Sequence, residues 1–249
     1  MISKNKVKYL KSLQLKKIRK IHREFLVEGA KSVLELLKSD FEIQDIFLTE
    51  NFCKCYAEEL DRRSVAYEVC TQRELEMAGS LMTNDSAIAV AKVKDNSRIS
   101  IGEGEYILAL DDIKDPGNMG TLVRIADWFG ITKIVCSEEC TDFYSPKVIS
   151  ATMGSFTRTQ VYYCELSDYL LTCGHQVFGA SLSGENVHNV DFAKSGVILL
   201  GNESKGIREE YYNLISKSIL IPGFGGAESL NVAVAGAIIC DNLRRQQEL

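Results

Sequence analysis

The chain has 249 residues, of which 45% are hydrophobic and 25% charged, as is typical of a globular protein with one large or two small domains. No apolar run is long enough to span a membrane and the N-terminus lacks the apolar core of a signal peptide, so we expect a cytoplasmic protein. Eight cysteines without a Cys-x-x-Cys pair, and three histidines far apart in the sequence, favour reduced thiols and argue against a metal site.

Residues 1–24 carry a strong positive charge. They hold nine Lys/Arg and one acidic residue, a net charge of +8 that leaves −13 for the rest of a chain whose net charge is −5. Apolar residues recur between the basic ones near helical spacing: Val7, Leu10, Ile18, Ile21 and Phe25. The pattern predicts either a solvated helix with one packed face or a helix that contacts the phosphates of a nucleic acid. A mitochondrial presequence is a third interpretation.

Residues 25–93 alternate between short helices and strands. Helices are predicted over Glu28–Ser39 and over 51–63, with Asn51 as the cap, and Thr71 with Glu74 has the spacing of a capping box. Strands are predicted at 43–49, 65–69 and 87–93. The polar segment that follows contains two glycines and is typical of a linker. We therefore expect a small α/β sandwich domain over 1–95, a linker over 96–104 and a second domain over 105–249.

The second half of the chain alternates apolar strands with helices. The strands are predicted at 106–110, 133–136, 160–163, 176–181, 197–200 and 218–221. Their continuous hydrophobicity favours an α/β fold with a mostly parallel sheet that is covered on both faces. Ser145 and Pro146 have the residue types of a helix N-cap and first turn. Ligands of such sheets bind at the carboxyl ends of the strands.

Three polar loops follow these strands. The first contains Asp115-Pro-Gly-Asn118 and leads into a helix that begins near Met119 and ends at Gly130. The second is Gly201-Asn-Glu-Ser-Lys-Gly206. The third runs from Ile221 through three glycines into a helix that is apolar on every side, which we expect to be buried, with Ser229 and Asn231 in its first turn. The free N–H groups at that turn suit a polar or anionic ligand, although a capped core helix without a ligand is the alternative.

These three loops, in this order, resemble the three motifs of the SpoU/TrmH branch of the SPOUT RNA methyltransferases, over roughly residues 104–246. The resemblance implies S-adenosylmethionine as methyl donor, RNA as partner, a trefoil-knotted C-terminal domain and a homodimer. One departure is Gly223, where the family usually has Met, and we expect a changed wall of the donor pocket there. The segment Phe25–Lys31 resembles the opening of the small RNA substrate-binding domain of such enzymes, which favours 2′-O-ribose methylation of ribosomal RNA.

The resemblance also implies roles for individual residues. Arg124 corresponds to the arginine proposed to activate the ribose hydroxyl, and because a guanidinium stays protonated we expect it to stabilise charge electrostatically. Asn118 would position Arg124 or the ribose. The residues implied to complete the polar ring are Glu203, Ser229 and Asn231, and those implied to contact the donor or to shape its loop are Gly201, Asn202, Gly206, Ile221 and Leu230.

Other functions fit the sequence less well. A dinucleotide-binding fold requires Gly-x-Gly-x-x-Gly after its first strand, and the segment 115–120 lacks that spacing. No Gly-x-x-x-x-Gly-Lys-Ser/Thr occurs, so P-loop chemistry is unsupported. Two alternatives stay open: a transfer-RNA ribose methyltransferase, and an RNA-binding assembly factor that has lost its catalytic activity.

Overall fold

The computed structural model describes residues 2–247. The described residues form two compact units, one made of residues up to 95 together with 142–157, and the other of residues 96–141 with 158–247. The segment 142–157 therefore leaves the second unit, packs within the first, and returns.

The first unit is built on a four-stranded sheet. Its strands are β1 (Glu24–Glu28), β2 (Ile43–Leu48), β3 (Glu68–Val69) and β4 (Ala87–Lys92). Its helices are α1 (Lys4–Ser12), α2 (Lys16–His22), α3 (Ala30–Leu37), α4 (Glu50–Cys55), α5 (Ala57–Arg63), α6 (Gln72–Ala78) and α8 (Pro146–Thr152), followed by a 3-10 turn at Ser155–Thr157. The strand order is β1-β4-β2-β3, in which β4 runs antiparallel to both of its neighbours.

The basic N-terminal segment, for which the sequence predicts one helix, forms two helices instead. Ser3 caps α1 by accepting a hydrogen bond from the main-chain N–H of Lys6, and the chain turns at 13–15 before α2 begins. Arg19 is buried at this joint, where its guanidinium donates to the main-chain oxygens of Leu13 and Gln14 and to Asp142. Arg19 thus stabilises the turn between the two helices and its contact with Asp142.

Strand β1 replaces the start of a predicted helix. Residues 24–28 pair with β4 along their whole length and are all buried. Glu28, which was expected to begin a helix, accepts hydrogen bonds from the main-chain N–H and the hydroxyl of Ser80. The next helix was expected to be capped by Asn51, but Thr49 caps it instead, and it breaks at Tyr56 into α4 and α5. The capping box of Thr71 and Glu74 is confirmed.

The segment 142–157 belongs to the core of the first unit through its aromatic rings. Phe25 of β1 lies 4.7 Å from Tyr144 and 6.0 Å from Phe156 between ring centroids. Phe41 lies 5.8 Å from the same Phe156 ring. Ser145 caps α8 and Pro146 occupies its first turn, as the sequence predicts.

The second unit contains a six-stranded sheet in which every pair of neighbours is parallel. The strands are β5 (Tyr106–Leu110), β6 (Lys133–Ser137), β7 (Gln160–Cys164), β8 (Gln176–Asn186), β9 (Gly196–Leu200) and β10 (Lys217–Leu220), in the order β10-β8-β9-β5-β6-β7. The helices are α7 (Pro116–Trp128), α9 (Leu166–Thr172) and α10 (Val232–Gln247), with a 3-10 turn at Glu209–Leu214. All six predicted strands and the parallel sheet are confirmed. The connection before β5 lies along the sheet, because Asn96 bonds to the main chain of Tyr163 and Ile99 is buried.

Helix α10 is buried on one face, so the prediction of burial on every side is wrong. It packs against α7, and a side chain at Gly236 would come within 3.0 Å of Leu122 and Leu200, so glycine permits this close approach. The other face includes Val234, whose exposed fraction is 48%. Ser229 and Asn231 precede the helix, which begins at Val232.

Among residues 2–247, no helix combines the length and the hydrophobicity needed to cross a membrane. The eight cysteines all carry free thiols. No cluster of three potential metal ligands occurs in the part of the chain that the structure describes.

Candidate active site

The loop after β5 starts the candidate site. Helix α7 begins at Pro116 rather than near Met119, since proline is suited to the first helical position and Asp115 caps the helix. The carboxylate of Asp115 accepts a hydrogen bond of 2.8 Å from the main-chain N–H of Asn118. The Asn118 side chain therefore sits on the first turn of α7, and Gly130 ends the helix with a φ of +66°, as predicted.

The loop after β9 is a tight turn that only glycine can close. A Cβ atom on Gly201 would lie 2.2 Å from main-chain atoms of Gly206 and Ile207. Asn202 and Gly206 exchange two main-chain hydrogen bonds of 2.9 Å, with Gly206 at a φ of +71°. The Asn202 amide donates to the main-chain oxygen of Asp112 at 2.8 Å and accepts from the N–H of Ser204. Asn202 thus joins the second loop to the first.

The loop after β10 is exposed over 223–230, and Phe224 has an exposed fraction of 98%. The main-chain N–H groups of this stretch donate no hydrogen bond to any residue between 2 and 247. The loop ends at Asn231, whose side-chain oxygen accepts from the N–H groups of Ala233 and Val234 and so caps α10.

Three predicted site residues from the three loops meet in one chain of hydrogen bonds. The amide nitrogen of Asn118 donates to the carboxylate of Glu203 at 2.9 Å, and the amide nitrogen of Asn231 donates to the side-chain oxygen of Asn118 at 2.9 Å. Asn118 lies between the two partners and uses both ends of its amide. The grouping of these three residues by the fold follows from the parallel sheet, which brings the carboxyl ends of its strands to one edge.

The other two predicted catalytic residues stand apart from this chain of hydrogen bonds. Arg124 is exposed on α7 and makes no hydrogen bond or ion pair with any residue that the structure describes. Ser229 is exposed in the third loop and is likewise without a hydrogen bond in residues 2–247. Both side chains are available to a bound molecule.

A buried ion pair beside the site escaped the sequence analysis. Asp111 follows β5 directly and is fully buried, and it accepts hydrogen bonds from the main-chain N–H and the guanidinium of Arg208 at 2.9 and 2.7 Å. Burial raises the pKa of Asp111, and the hydrogen bonds from Arg208 oppose that rise. Arg208 also contacts Glu139 at 3.1 Å. The pair joins the end of β5 to the segment that follows the second loop. An acidic residue directly after an apolar strand is the feature of the sequence that could have indicated this pair.

Two models of known protein families match this chain. The SpoU rRNA Methylase family matches residues 105–241, which include all three loops. The chain belongs to the SpoU rRNA methylase family. The MRM3-like substrate binding domain matches residues 4–89, which lie in the first unit. The match to the SpoU family runs without a break through 142–157, although this segment packs in the first unit.

Relatives of this SpoU-family chain cover nearly all of its length. The 23S rRNA (guanosine(2553)-2′-O)-methyltransferase RlmP of Bacillus subtilis (strain 168) is 29% identical over 96% of this chain and 96% of its own. A TrmH-family protein of known structure from Porphyromonas gingivalis is 31% identical, with a TM-score of 0.87 and 99% of both chains covered. The AdoMet-bound rRNA methyltransferase of Sinorhizobium meliloti is 28% identical, with a TM-score of 0.87, over 99% of this chain and 96% of that one.

Proposed function

We propose that this protein transfers a methyl group from S-adenosylmethionine to a ribose 2′-hydroxyl of ribosomal RNA. The observation that carries the proposal is the chain of hydrogen bonds through Asn118, which joins Glu203 and Asn231 from two other loops. Membership of the SpoU family supports the reaction, and the ribosomal RNA methyltransferases among the relatives support the substrate.

The residues of the second and third loops fit the donor. The unbonded main-chain N–H groups of 223–230 offer donors to the heteroatoms of an adenosine, and Ile221 and Leu230 flank them with apolar side chains. Gly201, Asn202 and Gly206 fix the shape of the neighbouring turn. Gly223 leaves open space where the family usually has a methionine side chain. When bound, S-adenosylmethionine supplies an electrophilic methyl group on a sulfonium.

Arg124 is the residue that we assign to the reacting hydroxyl. A guanidinium stays protonated under nearly all conditions, so it acts as a fixed positive charge rather than as a base. A ribose hydroxyl that attacks a methyl group develops negative charge on oxygen, and a cation aimed at that oxygen lowers the barrier. Arg124 is suited to this role because no described residue neutralises or bonds to it.

The remaining polar residues orient the reactants. The Asn118 amide is held at both ends, so it can present a fixed geometry to the ribose or to Arg124. Glu203 and Asn231 fix that amide, and Asn231 also caps α10. Ser229 offers a free hydroxyl from the third loop to either reactant.

The first unit supplies the RNA contacts in this account. Its match to a substrate-binding domain and the positive charge of its first helices both support that role. The counterion release that accompanies such contacts makes RNA affinity fall with salt concentration.

The proposal also includes a homodimer, a knotted C-terminal domain and a cytoplasmic location. The half-exposed apolar face of α10 around Val234, together with Trp128 at the end of α7, which is 84% exposed, provides apolar surface for a homodimer. We also expect the trefoil knot of the SPOUT fold at the C-terminus. The bacterial relatives act on ribosomal RNA, which supports a cytoplasmic location.

The test is transfer of labelled methyl groups from S-adenosylmethionine to total RNA from a strain that lacks this gene, with ribosomal and transfer RNA resolved. We expect label in one ribosomal RNA species. Label confined to transfer RNA would contradict the substrate but keep the reaction. The absence of label from free RNA and from ribosomal particles, with the donor still bound in a calorimetric titration, would favour a binding factor without catalytic activity.

A further inference from the structure

The first unit contains an open cavity of about 540 Å³ between its N-terminal helices and its sheet. The lining residues come from α1, α2, β1 and β2, and they are Asn5, Lys6, Tyr9, His22, Glu24, Gln44 and Asp45. Aromatic rings and polar side chains thus share one concave surface, which neither the three loops nor the donor site uses.

Two aromatic rings meet in this cavity. Tyr9 and His22 lie 5.5 Å apart between ring centroids and form an edge-to-face pair with an interplanar angle of 79°. In such a pair the edge of one ring covers a face of the other, so other ring faces stay free to stack on a planar ligand. The His22 side chain is exposed and the Tyr9 side chain is half-buried.

Two ion pairs hold the acidic side chains of the cavity in place, and each leaves one carboxylate oxygen without a hydrogen bond to any described residue. Lys6 bonds to Oδ2 of Asp45 at 2.5 Å, and Lys92 bonds to Oε1 of Glu24 at 2.6 Å. The second carboxylate oxygen of each acid has no hydrogen bond with residues 2–247. The register of β2 against β4 shifts between Ile43 and Asp45, which makes Gln44 an extra residue at the cavity.

Unpaired lysines lie on the two helices that contribute to this cavity. Six lysines on α1 and α2 are exposed and make no hydrogen bond or ion pair within the described residues: Lys4, Lys8, Lys11, Lys16, Lys17 and Lys20. The other basic side chains of the two helices and their joint do have partners, since Lys6 pairs with Asp45 and Arg19 with Asp142. The two helices that line the aromatic cavity therefore also carry free positive charge.

The geometry points to a binding site for one unpaired nucleobase of the RNA substrate, and this inference rests on the proposed function. The base stacks on Tyr9 or His22 while the lysines of α1 and α2 bind the flanking phosphates. A duplex keeps its bases stacked on one another, so it cannot enter the cavity in this way. The unused oxygens of Glu24 and Asp45 accept hydrogen bonds, so the site favours a base with an exocyclic amino group, such as cytosine, over uracil.

The test is a fluorescence anisotropy titration of the full-length protein with labelled RNA of about ten nucleotides. The probes are oligo(C), oligo(U) and a duplex of the same length. The wild-type protein is expected to prefer oligo(C). Tyr9→Leu removes the ring but keeps an apolar side chain, and it is expected to weaken oligo(C) binding roughly tenfold without weakening duplex binding. Tyr9→Phe, which keeps the ring, is expected to bind like the wild type.

A charge variant provides the matched control. Lys16→Gln is expected to weaken binding of oligo(C) and of the duplex by the same factor and to reduce the salt dependence of both. Urea unfolding and calorimetric donor binding of each variant separate a loss of the site from a loss of the fold.

Equal affinity of Tyr9→Leu and wild type for oligo(C), or equal affinity of the wild type for all three probes, would overturn the inference. Methyl transfer by the wild type on ribosomal RNA, measured alongside, separates the two claims. Methyl transfer by the wild type, together with an unchanged KM for RNA in Tyr9→Leu, would support the proposed function and contradict the base site. No methyl transfer to any RNA would contradict the proposed function itself.

Discussion

Arg124 is a charged residue of the candidate site whose side chain has no partner within residues 2–247, whereas Glu203 accepts a hydrogen bond from Asn118. We expect Arg124→Ala to lower kcat at least about 100-fold, since it removes the positive charge that we propose stabilises the negative charge developing on the ribose oxygen. Removal of an exposed, unbonded side chain is expected to change the free energy of unfolding by less than about 0.5 kcal/mol. Single-turnover methyl transfer and urea unfolding measure the two effects.

Arg124→Lys is the control for charge without the planar guanidinium, and it is expected to recover part of the lost rate. Affinity for S-adenosylmethionine, measured by calorimetry, is expected to be the same in both variants and in the wild type. Wild-type turnover in Arg124→Ala would remove Arg124 from the chemistry.

Asn118 is the central member of its chain of hydrogen bonds, so its two partners are coupled through it. We expect Asn118→Ala to lower the free energy of unfolding by about 1 kcal/mol for each bond lost. A double-mutant cycle of Asn118→Ala with Glu203→Ala should give a coupling energy of about 0.5 kcal/mol or more. Additive effects in urea unfolding would show that the bond of 2.9 Å between these side chains is not formed in solution.

Sequence reasoning grouped Asn118, Glu203 and Asn231, which the structure joins by hydrogen bonds, because they lie in recognisable motifs at the ends of apolar strands. It missed the pair of Asp111 and Arg208, although the guanidinium lies 2.7 Å from the carboxylate. These residues are 97 positions apart, and each alone has the residue type of an ordinary polar loop. The neighbouring positions of β5 and β9 in the sheet bring them together, and no local pattern encodes that order.

At the scale of the element, the turn at 201–206 depends on close contact between main-chain segments. We expect Gly201→Ala to destabilise the protein by more than about 2 kcal/mol, because the added Cβ would lie 2.2 Å from the main chain of Gly206 and Ile207. Gly223→Ala is the matched control, since no atom lies within 4 Å of a Cβ added there and its φ is not in the left-handed region. The readout is the midpoint of urea unfolding, and equal midpoints for the two variants would contradict the tight turn.

The strands of the sheet were predictable because continuous apolar runs bounded by polar turns are typical of buried parallel strands. Helix burial was less predictable. The first part of α10, residues 232–240, lacks a polar face, which indicated burial on all sides, yet its Val234 side is half exposed. The sequence of a helix indicates how hydrophobic each face is but not what packs against that face. We propose that a second copy of the chain packs against the exposed face of α10.

At the scale of the whole molecule, residues 142–157 fold with the first unit although they follow three elements of the second. Sequence reasoning placed them with 105–249, because a domain was taken as one continuous stretch of chain. Their place depends on the contacts of Tyr144 and Phe156 with Phe25, which lies far earlier in the sequence.

The packing of residues 142–157 in the first unit predicts how a truncated chain behaves. A fragment of residues 96–249 lacks Phe25 and Phe41, so Phe156 loses both of its aromatic partners and Tyr144 loses its contact with Phe25. We expect limited proteolysis to cut the fragment within 142–157 and to leave the same segment intact in the full chain. Protection of 142–157 in both proteins would contradict the division into units.

Buried thiols give the protein a predictable response to alkali. Burial raises the pKa of Cys240 from 9.0 to about 12 and that of Cys70 from 9.0 to about 11. Above pH 9 the unfolded thiols ionise while the folded ones stay protonated, so the unfolded state binds fewer protons. This contribution to stability is complete below pH 9 and is lost as the pH rises, by up to about 1.4 kcal/mol per pH unit for each thiol.

We therefore expect the free energy of unfolding in urea to fall between pH 9 and pH 11. The slope should be shallower in Cys240→Ala, which removes one of the ionising groups. Only the slopes are compared, because the variant also creates a cavity that lowers stability at every pH. Equal slopes would show that Cys240 ionises alike in the folded and unfolded states.

The most direct test of the central claim is the chemical position of the transferred methyl group. Ribosomal RNA labelled by the protein from S-adenosylmethionine is hydrolysed in alkali, which cleaves each phosphodiester by attack of the adjacent 2′-hydroxyl. A 2′-O-methyl group blocks that attack, so our account predicts that the label is recovered in an alkali-resistant dinucleotide. Recovery of the label in mononucleotides would place the methyl group on a base and would contradict the account.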